Sequence, residues 1–416
     1  MAKDVHPPRG MRDFLPAEKL KRDFVLGTIR STYLAHGFQE IETPALEALE
    51  RLTSGQGGDN EKLAFRVMKR GDELGKSFEL GLSKLADSNG EELADLGLRY
   101  DLTVPLTRYY ATNRSKLPKV FKAIQTGPVW RAERPQKGRY RQFIQCDIDI
   151  IGDASPLAEI DILVSSLEAL ESIHLSDAII RVNHRVLLAK LLDGLGIPED
   201  GKPAAMIIID KLDKIFAEGV VKELGEKFGA KVAETATGWL ASLKSDLETP
   251  EELKDIFAAV ESRFGKGRLR FDPTLVRGMG YYTGTIFEIE HPESGSSIGG
   301  GGRYDGMIGR WTGEAVPAVG ISIGFERAVD LVPDTLVGKP PMRLVLVLDD
   351  TSAGTIGVAL ARQKDLFERG YSVRLEQRPK KLNLLLDSLA EQGFTHFAAV
   401  GANSNSFESL DIKPIA

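Results

Sequence analysis

Residues 129–149 read VWRAERPQKGRYRQFIQCDID. An apolar lead-in with Val120, Phe121, Ala123 and Ile124 runs into Arg131, Arg134, Lys137, Arg139 and Arg141, five cations within eleven residues opposed only by Glu133. Pro135 and Gly138 interrupt any helix through this loop. The chain then alternates. Phe143, Gln145, Asp147 and Asp149 fall on one side, and Ile144, Cys146, Ile148 and Ile150 on the other, which is the period of a half-buried strand. The stretch predicts a strand, a cationic loop and a returning antiparallel strand. Guanidinium forks suit phosphate oxygens, a ring such as Phe143 can stack on a base, and carboxylates with an amide at alternate positions can hold an ammonium group. A solvated charged hairpin is the plain alternative, but the placing of Gln145, Asp147 and Asp149 beside apolar residues favours a site.

Towards the N-terminus, Leu98–Pro105 reads as a strand leading into a helix at Leu106–Tyr110, with Asp101 and Thr103 on one face. Asp101 could bind an ammonium or cap the helix. Lys76–Leu80 and Leu63–Lys69 read as short strands, and the Gly-rich residues 52–62 as a loop or lid. Phe38–Leu46 predicts a strand ending in Pro44. Before it, Arg22–His36 has helical apolar spacing closed by Gly37, and residues 7–16 (PPRGMRDFLP) form an extended arm. Towards the C-terminus come a helix at Pro156–Ser172 and a strand at Ala178–Val182. From Arg185 to about Arg268 the texture is helical throughout, which predicts an inserted helical domain. Strands return at Leu269–Phe271 and Thr285–Glu290. The glycines of SIGGGGRYDG (297–306) are neither a Walker loop nor a dinucleotide fingerprint, and read as permitting close strand approach. Ala318–Ala328 reads as a strand turning into a helix at Glu326 and Arg327. Beyond a Pro/Gly linker at Leu336–Met342, strands and helices alternate as an α/β module.

The chain has 416 residues, enough for two or three domains, and a net charge of −6, so any nucleic-acid contact must use local basic patches. Its one cysteine, Cys146, rules out an internal disulfide framework, and its six histidines are scattered without ligand spacing, so no metal site is expected. No signal sequence or membrane-length apolar run is read, and a cytoplasmic protein is expected.

Taken together, RGMRDFLP (9–16), residues 24–47 with Pro44, the 129–152 hairpin, LVRGMGYYTGTIFE (275–288), SIGGGGRYDG (297–306) and residues 318–328 resemble the histidyl-tRNA synthetases, class II aminoacyl-tRNA synthetases. The resemblance covers nearly the whole chain in order, and ERPQKGRYRQF combined with RGMGYYTGT is its most specific part. It implies an α+β fold with three parts. These are a class II antiparallel-sheet catalytic domain (residues 1–184 and 269–335), a helical insertion (185–268), and a shortened C-terminal α/β anticodon-binding-like domain (343–416). The implied reaction is a ligation in which ATP, with Mg²⁺, converts histidine to histidyl-adenylate, and the histidyl group passes to the 3′ end of tRNA(His). A homodimer is implied as well.

By resemblance, Arg131 and Arg277 are the catalytic pair, flanking the α-phosphate. Glu133 would contact the adenine end, Phe143 would stack on the base, Arg139 would reach the distal phosphates and Arg327 would pack on ATP. Asp101, Thr103 and Gln145 would hold the α-amino group. Asp149 and Tyr282, with Tyr281 beside them, would read the imidazole, whose one donor and one acceptor a carboxylate and a phenol can satisfy. Two departures stand out. Gly280 occupies a position where the family commonly has Asp, and after Val400 only Leu410–Ile415 reads as further strand. The competing expectations are a non-catalytic histidine-binding paralogue, like the regulatory subunit of ATP phosphoribosyltransferase, and a class II ligase for another amino acid.

Overall fold

A computed structural model describes residues 5–54, 58–79, 91–136, 138–243, 247–277, 281–336, 342–404 and 406–415. Lys137, Gly280, most of the 336–342 linker and part of the 52–62 loop lie outside them. The chain divides into two compact units. One takes in Val25–Val332 with the arm up to Phe14, the other Leu15–Phe24 with Pro333–Ala416.

Helix α1 (Pro16–Ala35) starts at Pro16 rather than Arg22. A proline fits the first turn, where its missing N–H costs nothing. Gly37, at φ +78°, ends the helix in the left-handed region. The strand expected over Phe38–Leu46 is split between two sheets as β1 (Gln39–Glu40) and β2 (Leu46–Ala48). Pro44 has no N–H to give a ladder, and the Thr43 carbonyl is taken by Arg99 Nη1 at 2.6 Å, so a side chain holds the segment between them. A single turn, α2 (Leu49–Leu52), leads on towards β3 (Arg66–Met68). Where Lys76–Leu80 was expected as a strand, the described residues form helix α3 (Gly71–Glu79). Asp72 and Glu73 favour its N-terminus, and the Ser77 hydroxyl bonds to the Glu73 and Glu92 carbonyls. Strand β4 (Ala94–Leu98) pairs with β2 and β3 and ends where a strand was expected to begin. Helix α4 (Thr103–Asn113) therefore starts before Leu106. Asp101 Oδ1 accepts the Val104 N–H at 3.1 Å, and Pro105 sits within the tolerant first turn.

The hairpin forms as β5 (Phe121–Trp130) and β6 (Gln142–Ile151). Helix α5 (Pro156–Ser172) and strand β7 (Ile179–His184) follow. The helical stretch then comprises α6 (Arg185–Gly194), α7 (Lys202–Ile209), α8 (Leu212–Phe228), α9 (Ala230–Ser242) and α10 (Lys254–Phe264). After it come β8 (Leu269–Phe271), β9 (Thr285–Glu290), β10 (Gly299–Arg303), α11 (Asp305–Thr312), β11 (Ala318–Gly324) and α12 (Phe325–Leu331). The strands assemble into an eight-stranded sheet, β1-β5-β6-β11-β10-β9-β7-β8. Its two edge pairs, β1·β5 and β7·β8, are parallel and the rest antiparallel. Helix α5 packs on β6 and β11, burying Cys146, Ile148 and Ile150. The opposite side of β6 carries the polar row.

In the second unit, β12 (Arg343–Leu348), α13 (Ala353–Glu368), β13 (Ser372–Gln377), α14 (Leu382–Glu391), β14 (His396–Val400) and β15 (Lys413–Pro414) give a sheet of order β13-β12-β14-β15. The first three strands are parallel. The expected strand over Leu410–Ile415 shortens to the two residues of β15, which run antiparallel to β14. Alternate residues of β12 serve two cores. Leu344, Leu346 and Leu348 pack with Ala359 and Leu366, and Val345 and Val347 with Leu389.

Candidate active site

The register of three strands builds a cleft. Across β5–β6, Phe143 lies opposite Val129, Gln145 opposite Gly127 and Asp147 opposite Gln125. Across β6–β11, Gln145 faces Gly324, Asp147 faces Ser322 and Asp149 faces Gly320. Small neighbours leave room for the polar row: a Cβ at Gly320 would stand 1.9 Å from Asp149 Oδ1. The resulting cleft has a volume of about 600 Å³, the size of a small-molecule site. Arg131, Glu133, Arg139, Phe143 and Arg327 line it, as do Asp101, Thr103, Gln145 and Asp149, with Arg277, Tyr281 and Tyr282. Thr103 comes from the first turn of α4 rather than from a strand.

The cationic side is pre-ordered. Arg131 Nε donates to the Tyr100 carbonyl at 3.0 Å, and its guanidinium lies 5.0 Å from the Phe143 ring centroid. Gln136 and Arg139 exchange backbone hydrogen bonds across Gly138, whose φ is +73°. Arg139 also pairs with Glu133 at 3.6 Å. Arg12 of the N-terminal arm stacks on Tyr140 at 3.4 Å and pairs with Glu326, and Glu326 also accepts the Ile144 N–H at 3.2 Å. Arg327 donates to the Ser297 carbonyl. Arg277 has φ +51°, a strained value for a side-chain-bearing residue. Its Nη1 lies 3.4 Å from Glu288 Oε2 and 3.2 Å from the Gly299 carbonyl.

The floor is acidic and buried. Asp101, Asp147 and Asp149 are all buried. Burial pushes Asp101 up to about 6, against the opposing pull of the Val104 N–H. Burial pushes Asp149 up to about 7, partly offset by the Tyr304 hydroxyl. Asp147 is raised by burial and then by the charge of Asp149. Tyr304 donates to Asp149 Oδ1 at 2.5 Å. The Tyr281 ring lies 4.7 Å from Tyr282 and edge-on to Tyr304 at 6.3 Å.

A stability consequence follows with a definite sign. Asp149 ordinarily titrates near 3.8 and in the fold near 7, so between those values the folded chain holds a proton that the unfolded chain has released. Its contribution to stability is greatest below the unfolded value and is lost as pH rises through about 7. The thermal midpoint of the ligand-free protein should therefore fall from about pH 5 to about pH 7 relative to Asp149→Asn and level off above that. A flat difference between the two calorimetric pH series would show that Asp149 is ionised throughout.

Tyr304, Ser322 and Glu288 line this site and Arg12 braces it through Tyr140 and Glu326, yet none of the four was singled out in the sequence, and Asp147 was named there only as part of the alternating row. Asp147 had a legible signal, since it shares the alternating face with Gln145 and Asp149. Tyr304 had none, because its partner is 155 positions away.

A family model described as histidyl-tRNA synthetase matches residues 10–82 and 71–328. The chain belongs to the histidyl-tRNA synthetase family. It is 50% identical to the histidine–tRNA ligase of Leifsonia xyli subsp. xyli, over 100% of this chain and 99% of that one. The crystal structure of histidyl-tRNA synthetase from Nostoc sp. PCC 7120 superposes with a TM-score of 0.75 at 26% identity, over 99% of this chain and 97% of that one. An ATP phosphoribosyltransferase regulatory subunit/histidyl-tRNA synthetase from Bacillus halodurans C gives a TM-score of 0.73 at 19% identity, over 95% and 97%, and shares the fold. The α+β architecture with its antiparallel-rich sheet is that of the histidyl-tRNA synthetase structures. Among the described residues no helix is long and apolar enough to cross a membrane.

Proposed function

We propose that the protein is a histidine–tRNA ligase that activates histidine with ATP and passes it to tRNA(His). One observation carries this reading beyond family membership: a single cleft joins an arginine-lined side to a buried acidic floor. The histidine carboxylate is already a nucleophile, so the first step asks the protein for positioning and electrostatics more than for proton transfer. Arg131 and Arg277 hold the α-phosphate and stabilise the charge that builds on it. Phe143 stacks on adenine with Glu133 at its edge, while Arg139 and Arg327 serve the remaining phosphates and the base. Asp101, Thr103 and Gln145 take the ammonium. Asp149 and Tyr282, with Tyr281, read the imidazole, and Tyr304 orients Asp149.

Mg²⁺ would accompany the nucleotide and would supply charge neutralisation on the triphosphate. The same proposal includes a cytoplasmic location, a homodimer, which rests on the family's pattern over residues 24–47, and a C-terminal α/β unit serving the tRNA, which rests on that over 343–416.

Purified protein should catalyse ATP–pyrophosphate exchange with histidine and with no other amino acid. Histidine binding without exchange would establish the regulatory paralogue instead, and exchange with a different amino acid would overturn the imidazole pocket.

A further inference from the structure

Arg277 is held in an awkward pose. Its backbone sits at φ +51°, which a side-chain-bearing residue keeps only where its surroundings impose it. Among the described residues its guanidinium is bound through Nη1 alone, by the Gly299 carbonyl at 3.2 Å, the Phe287 carbonyl at 3.4 Å and Glu288 Oε2 at 3.4 Å. Nε and Nη2 are left for a ligand. Strand β10 makes room for the pose, because a Cβ at Gly300 would stand 1.7 Å from Nη1. Gly300 lies opposite Glu288 in the β9–β10 register, and Glu288 opposite Arg181 in the β7–β9 register. A cross-strand row results on one face of the sheet: the Arg277 guanidinium over Gly300, then Glu288, then Arg181.

Arg181 is buried and has carboxylates of its own. Asp272 Oδ2 lies 2.6 Å from its Nε and 2.5 Å from its Nη2, and Glu290 Oε1 lies 3.0 Å from its Nη1, with the exposed Asp213 further off at 3.8 Å. Glu288 is therefore not needed to neutralise Arg181. Its two oxygens are divided between the arginines: Oε1 accepts Arg181 Nη1 at 3.0 Å, and Oε2 faces Arg277. A carboxylate can serve both because it accepts on either oxygen. Without its charge, two guanidiniums would face each other along the row and repel.

We propose that Glu288 is a positioning residue for adenylate formation: anchored through Oε1 by Arg181, it uses Oε2 to hold the Arg277 guanidinium over Gly300, with the remaining donors turned into the cleft. This rests on the ligase reading above for the step it affects, and it adds a carboxylate that acts only through Arg277.

Glu288→Gln keeps the shape but has one acceptor and one donor group at its tip, so it can serve one arginine and not both. In the full-length protein its kcat for histidine-dependent ATP–pyrophosphate exchange should fall by about 10- to 100-fold, the cost of a displaced catalytic group. KM for ATP and for histidine should stay within about threefold, since the lost interaction belongs to the transition state. The deciding comparison is a double-mutant cycle. Arg277→Ala with Glu288→Gln should be no slower than Arg277→Ala alone, within about twofold, because the second change has nothing left to position. If the glutamine variant does not fold, Glu288→Asp enters the same cycle. It keeps the charge but withdraws it by one methylene, and should show a smaller loss that again vanishes beside Arg277→Ala. Additive losses in the cycle, or an unchanged kcat in the single variants, overturn the positioning role. A crystal structure of Glu288→Gln should show the Arg277 guanidinium moved off Gly300, and finding it in place overturns the role with or without exchange. Absence of exchange in the wild-type protein, with that displacement seen, would sink the ligase reading alone.

Discussion

Arg131→Ala should lower the rate of histidine-dependent ATP–pyrophosphate exchange by about 10²- to 10³-fold, the cost of removing one preorganised donor from a developing oxyanion. Histidine affinity should stay within a few-fold, because the acidic floor proposed to hold the amino acid is built by other residues. The guanidinium is already placed without substrate, since its Nε is spent on the Tyr100 carbonyl and its plane rests near Phe143. What remains is a fork directed into the cleft. Arg131→Lys should recover little, because an ammonium cannot keep the carbonyl bond and also present a planar pair of donors. A loss of only a few-fold in Arg131→Ala would refute the phosphate role. A matching loss of histidine affinity would move Arg131 to the amino-acid side.

The largest effect on stability should come from Glu159→Ala. Glu159 lies in the first turn of α5 and is buried. It accepts Arg303 Nε at 2.6 Å, Arg303 Nη2 at 2.5 Å and the Thr285 hydroxyl at 3.1 Å. Arg303, at the end of β10, also donates to the Asp153 carbonyl at 3.1 Å. Truncating the carboxylate strips a buried guanidinium of its two shorter contacts and leaves it only the more exposed Asp305 carboxylate, 3.3 Å from Nη1, a change that costs about 3–5 kcal/mol, so the first thermal transition should drop by roughly 10 °C. The double replacement Glu159→Leu with Arg303→Met should recover more than half of that, because the penalty comes from the orphaned charge rather than from the loss of an intrinsically favourable pair. If the double variant is as unstable as the single one, the ion pair itself supplies the stability. Tyr304 follows Arg303 directly, so Glu159→Ala should also weaken histidine binding through Asp149.

The hairpin was legible because its signals agree: alternation on the return strand, two helix breakers and a charge cluster between them. The run of helices between β7 and β8 was legible from texture, and the breaks in the α/β unit from Pro and Gly. Failures came where tertiary contacts outweighed local pattern. KSFE at residues 76–79 was read, with Leu80, as a short strand, yet acids in the preceding turn and the Ser77 bonds keep it helical. Phe38–Leu46 has strand residues, but Arg99 claims its carbonyls and the segment divides between two sheets. The polar row of β6 was visible as a face. Which phenol meets Asp149 was not, because Tyr304 reaches it only through the register of β10 with β11.

The glycines of β10 give the cleft a wall made of main chain alone. A Cβ at Gly300 would stand 1.7 Å from Arg277 Nη1, one at Gly301 1.9 Å from the Gly320 carbonyl, and one at Gly302 2.5 Å from the Thr285 carbonyl. For anyone re-engineering the enzyme to charge bulkier histidine analogues, that wall offers nothing to trim and no space to decorate. New volume can be carved only from the tyrosine and carboxylate sides, and those are the sides proposed above to read the amino acid. Enlarging the pocket and loosening its selectivity are therefore, in this scaffold, the same operation.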